Sequence, residues 1–130
     1  MEEKVISVHL TKTELEKMCD QFKGVLDKYS KYVSIYLKTN DGEYTEFIQF
    51  KRRNSNDFKI IWFCDEILHD KLNNVWRLGI QDWSNYGKPI TRKEFEDRLQ
   101  KFTKNMEDLP LILKKQAEKL KEIRLNDDFA

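Results

Sequence analysis

Apolar positions recur along this chain in two periods, one near two residues and one near three and a half. Val5-Ile6-Ser7-Val8-His9-Leu10 is a short β-branched run that predicts a first strand. Thr11 and Glu14 then match the capping-box pattern, and Thr13 with Glu16 matches it equally well. Behind them Leu15, Met18, Phe22, Val25, Leu26 and Tyr29 follow at steps of mostly three and four. Charged residues fall between, so the spacing predicts an amphipathic helix of about four to five turns with one buried stripe. Gly24 weakens it locally by about 1 kcal/mol relative to Ala, which the stripe can outweigh.

From Tyr32 to Cys64 the period changes to two, and the chain reads as three strands joined by turns at Asn40-Asp41-Gly42 and at Asn54 to Asp57. A two-residue turn in the first of these pairs Leu37 with Glu46, Ile35 with Ile48 and Val33 with Phe50; the second sets Phe50 opposite Ile61 and Ile48 opposite Phe63. One face is then Val33, Ile35, Leu37, Ile48, Phe50, Ile61 and Phe63, assigned to the core under the first helix. The other is mixed: Tyr32, Ser34, Tyr36, Lys38, Thr45, Phe47, Gln49, Lys51, Phe58, Ile60, Trp62 and Cys64. It is too aromatic for a solvated surface and too basic for a buried one.

Asp65 to Asn74 reads as a connection with one short helical turn, Val75 to Ile80 as a further strand, and Gln81 to Lys88 as a polar loop carrying Trp83 and Tyr86. Thr91 and Glu94 form a second capping box before Phe95, Leu99, Phe102 and Met106. Asp108-Leu109-Pro110 then suits a new helix start, because proline is tolerated in a first turn. Leu109, Ile112, Leu113, Ala117, Leu120 and Ile123 form the stripe of that last helix. The expected fold is α+β: a mostly antiparallel sheet of four to five strands, in the order β-α-β-β-β-β-α-α, with amphipathic helices packed on it. Residues 1–125 form one domain in this reading, and 126–130 a frayed tail. Ordinary layer packing has the C-terminal helices cover the mixed face.

Composition narrows the function classes. There are 24 basic and 23 acidic residues, so no global field draws the protein to nucleic acid or an anionic membrane. The longest apolar run, Ile60 to Cys64, falls far short of the roughly 20 residues that cross a bilayer. The N-terminus lacks a signal-peptide profile, so a cytoplasmic protein is expected. Cys19 and Cys64 fit reduced, buried thiols. His9 and His69 have no second pair of ligands at zinc spacing, and a Cys64–His69–Asp70 nucleophile would need an orientation that spacing alone does not supply. Neither a catalytic constellation nor a Gly-rich phosphate loop is present in sequence, and no metal or cofactor is expected.

What remains is aromatic surplus. The reading favoured here is a small non-enzymatic module, inhibitor- or adaptor-like or self-associating, that binds another protein or itself through Trp83, Tyr86, Tyr36, Phe47 and Trp62. The alternative is single-stranded nucleic-acid binding, with bases stacked on Tyr36, Phe47 and Trp62 and phosphates held by Lys51, Arg52 and Arg53. An enzyme whose pocket is assembled from distant residues is the third.

Overall fold

A computed structural model describes residues 8–79 and 91–128. The elements are β1 (His9–Leu10), α1 (Lys12–Gln21), β2 (Val25–Tyr29), β3 (Tyr32–Lys38), β4 (Tyr44–Asn54), β5 (Asp57–Phe63), β6 (Ile67–Asp70), β7 (Val75–Leu78) and α2 (Arg92–Asp128). Five strands make one antiparallel sheet in the order β1-β5-β4-β3-β2, and β6 and β7 form a separate hairpin. The α+β class and the antiparallel sheet are as the residue pattern indicates. Of the expected strand Val5 to Leu10, residues 5–7 lie outside the described residues.

Helix α1 starts where the first capping box places it. The Thr11 hydroxyl accepts from the Glu14 amide, and the Glu14 carboxylate accepts from the Thr11 amide, each at 3.2 Å. It ends at Gln21, well short of the expected Tyr29. The Gly24 amide donates to the Cys19 carbonyl and the Lys23 amide to the Asp20 carbonyl, with Lys23 at φ +53°. This is a Schellman cap with lysine in the left-handed position that glycine usually takes. Gly24 then allows close approach to the sheet, for a Cβ there would lie 2.8 Å from Ile35 Cγ2 and 3.1 Å from the Tyr36 carbonyl oxygen. Val25 to Tyr29, read as the last turns of the helix, turn back as edge strand β2 against β3.

The central strands carry three register shifts, and the first two, both β-bulges, reset their faces. Val33–Phe50, Ile35–Ile48, Ile48–Phe63 and Gln49–Trp62 pair as expected. Past Ile35, however, Tyr36 opposes Glu46 and Leu37 opposes Thr45, which leaves Phe47 as the extra residue. Past Gln49, Phe50 opposes Ile60 and Ile61 is extra. A bulge places two residues of one strand against one of its partner, so the alternation beyond it is inverted. Phe47, Phe58 and Ile60 thereby leave the mixed face for the core, where they are 0%, 5% and 6% exposed.

Helix α2 is continuous over 37 residues, with Pro110 inside it rather than at a second start. Its inward residues Phe95, Leu99, Phe102, Met106, Leu109 and Leu113 alternate steps of four and three straight through the proline, so one seam serves the helix on both sides of it. It does not cover the mixed face. Phe102 stacks on Phe47 at 4.8 Å between centroids, Phe95 meets Phe63 edge-on at 5.3 Å, and Phe22 at the end of α1 packs on both Phe47 and Phe102. Arg92 bonds Glu14 at 2.7 Å and Gln21 reaches Thr103 at 3.4 Å. Both helices therefore lie side by side on one face of the sheet, joined by an aromatic cluster.

The stretch read as a helical connection is strand β6. Its hairpin with β7 docks between the β3–β4 turn and α2. Asn40 substitutes for a strand edge: its side chain donates to the Asn74 carbonyl at 2.8 Å and accepts from the Trp76 amide at 3.1 Å. Arg77 forks onto Asp41 at 2.6 and 3.0 Å, and Gln116 of α2 donates to the Lys71 carbonyl at 2.9 Å. Among the described residues, no helix is long and apolar enough to cross a membrane.

Candidate functional site

With both helices on one side, the opposite face of β2, β3 and β4 gathers an unusual set of side chains. The described tyrosines, Tyr29, Tyr32, Tyr36 and Tyr44, all project there, because strand alternation puts Tyr32, Tyr36 and Lys38 on one side of β3 and pairing adds Tyr29 and Tyr44. Tyr29 and Tyr44 are 43% and 55% exposed, and Val25 beside Tyr36 is 48% exposed. Tyr32 and Tyr36 are half-buried.

Hydrogen bonds hold two of these rings. Gln49 Nε2 donates to the Tyr29 hydroxyl at 2.7 Å, and the Tyr36 hydroxyl donates to Glu46 Oε2 at 3.2 Å. Tyr29 and Tyr32 lie 6.1 Å apart across the β2–β3 turn, and the Lys38 ammonium sits 5.9 Å from the Tyr44 ring centre. Burial raises the Tyr36 phenol above its ordinary pKa, and the Glu46 carboxylate beside it adds to the rise, so Tyr36 stays a neutral donor at physiological pH. Such rings offer flat apolar area with a hydrogen-bonding tip and lose little side-chain freedom on contact.

The residues singled out in sequence are dispersed by the fold. Tyr36 is on this face. Trp62 belongs to it by register, opposite Gln49, but is only 6% exposed. Phe47 is on the other face, fully buried against Phe102. Trp83 and Tyr86 lie outside the described residues. Lys51, Arg52 and Arg53 are exposed, but alternation sends Lys51 to the tyrosine face and Arg52, opposite Phe58, to the helix side. The three cations and the three rings of the nucleic-acid reading therefore do not form one platform. Tyr29 is masked in sequence by a helical stripe, and unbroken alternation puts Tyr44 on the face of Ile48 until the bulge at Phe47 inverts it.

The chemistry weighed around Cys64 is not assembled. The Cys64 thiol lies 3.6 Å from the Gly79 carbonyl oxygen and 3.9 Å from that of Glu66, and burial pushes its pKa up. His69 Nε2 instead pairs with Asn74 Oδ1 at 2.9 Å. A protonated, buried thiol is a poor nucleophile. His9 pairs with Asp57 at 2.6 Å. Among the described residues, no three His, Cys, Asp or Glu side chains are placed to share a metal ion. No protein-family model, curated protein or solved structure matches this chain significantly, so the tyrosine face stands on its geometry alone.

Proposed function

We propose that this is a non-enzymatic protein-binding module whose contact surface is the tyrosine face of β2, β3 and β4. The observation that carries the reading is the convergence of Tyr29, Tyr32, Tyr36 and Tyr44 on the side of the sheet away from both helices, two of them about half exposed. Tyrosine is enriched among the residues that dominate protein interfaces, and charged groups are depleted at interface centres. Here the rings fall in two groups, Tyr29 with Tyr32 and Tyr36 with Tyr44, with the row Asp27, Ser34 and Gln49 between them and Lys51 and Lys38 at the two ends. The partner meets the face rather than the strand edge, because β2 presents the charged pair Asp27-Lys28, which opposes edge-to-edge pairing.

The double substitution Tyr29→Ala with Tyr44→Ala tests this. Both side chains are exposed enough that stability should change by about 0.5 kcal/mol or less per site. Partner binding should weaken at least about a hundredfold if these rings are hot spots. Light scattering on the wild-type protein tells whether the partner is a second copy: a dimer that the double variant dissolves identifies self-association, and a monomer identifies a different chain.

A further inference from the structure

On the opposite side of the sheet, a pocket of about 150 Å³ lies between α1 and the ends of β2, β3 and β4. Its floor is apolar: Leu15, Leu26, Val33 and Phe58. Its rim carries the cations Lys12, Lys28 and Arg52 against one carboxylate, Glu16. Topology makes this convergence. Lys28 pairs with Val33 and Arg52 with Phe58, so both side chains emerge on the helix side, and Lys12 opens α1 above them. Ser30, held at φ +54° in the turn after β2, and Ser55 add hydroxyls to the wall.

The charge at this rim is not balanced from within. Glu16 touches Lys12 only at 4.0 Å, with both side chains more than half exposed, which is a weak pair. Among the described residues, Lys28 and Arg52 have no carboxylate within ion-pair distance. Like charges gathered over a low-dielectric floor raise the local potential and favour an incoming anion. A volume of about 150 Å³ is the size of an apolar cavity that takes a benzene ring.

We infer that this pocket binds a small aryl oxyanion, with its ring on Leu15, Leu26, Val33 and Phe58 and its phosphate or carboxylate held by Lys28, Arg52 and Lys12. Arg52 supplies planar, forked donors and Lys28 a point charge. The pocket opens on the helix side of the sheet and shares Tyr32, at the start of β3, with the tyrosine face; Tyr29 and Tyr44 do not line it, so the double variant that tests that face leaves this site in place.

Isothermal titration calorimetry of the full chain at low ionic strength, with phenyl phosphate, benzoate, inorganic phosphate and phenol, tests the assignment. Phenyl phosphate or benzoate should bind one-to-one and more tightly than either inorganic phosphate or phenol. Arg52→Gln and Lys28→Gln should each weaken binding about tenfold, and added salt should weaken it as well. Glu16→Gln should tighten it, a change of sign that general damage to the fold does not produce. Absence of saturable binding by both aryl anions overturns the proposal. So does phenol binding as tightly as phenyl phosphate, or equal affinity in Arg52→Gln with an unchanged thermal midpoint.

Discussion

Phe47 and Tyr36 neighbour each other across β3 and β4, yet they have opposite fates. Phe47 packs against Phe22, Phe63 and Phe102 at 5.3, 5.4 and 4.8 Å, and it is fully buried. Phe47→Ala should cost about 3–5 kcal/mol in chemical denaturation, since a well-packed aromatic leaves a cavity that its neighbours cannot close. Arg98 is the polar counterpart in this cluster. It forks onto Asp65 with two contacts of 2.9 Å while its guanidinium lies 4.8 Å from the Phe63 ring centre. The Arg98 hydrogen bonds hold the Asp65 carboxyl below its ordinary pKa in the folded state. A depressed folded-state value means that the contribution is fully present above about pH 5 and is lost as pH falls through about 4 toward the folded pKa. Asp65→Asn should therefore lower stability by about 1 kcal/mol at neutral pH, and the gap from wild type should close in acid. A gap independent of pH would assign the loss to packing. At this scale the apolar pairs were legible in sequence, because Val33–Phe50 and Ile35–Ile48 precede the first bulge. Phe47 was not, since a single extra residue inverts its face and leaves no mark in a pattern of period two.

Among the elements, α1 and β2 show why a helical stripe can mislead. Val25, Leu26 and Tyr29 continue the spacing of Leu15, Met18 and Phe22, but the same residues also alternate as a strand, with Leu26 facing the core and Val25 and Tyr29 facing away. Gly24 was the available signal. Its close approach to Ile35 and the reversal at Lys23 decide for the strand. The sequence held the continuity of α2 more openly: Met106 to Leu109 is a step of three, so the two expected stripes are one seam. Pro110 obscured it, because proline more often begins a helix than sits inside one. Within α2 it removes a backbone donor and crowds the carbonyl four residues before it. Pro110→Ala should accordingly raise stability by about 1–3 kcal/mol, seen as a higher thermal midpoint with unchanged helix content. An unchanged or lowered midpoint would contradict a continuous helix at this position.

For the molecule as a whole, the arrangement of layers follows from the aromatic cluster. Phe47 and Phe63 give α2 a surface beside α1, so a single helical layer accounts for both helices and leaves the tyrosines of β2, β3 and β4 on the other side. The class of fold could be read from sequence because it depends on local periods. The side on which α2 packs could not, because it depends on two bulges and on where one helix ends. The most direct test of the central claim is quantitative capture from the native host with three immobilised forms: wild type, Tyr29→Ala/Tyr44→Ala, and Lys104→Glu on the exposed side of α2. Mass spectrometry should find a protein, or further copies of this chain, retained by wild type and Lys104→Glu and lost from the tyrosine variant, with all three forms unfolding within about 2 °C of one another. Equal retention by the tyrosine variant, or loss only in step with its thermal midpoint, would contradict a binding role for this face.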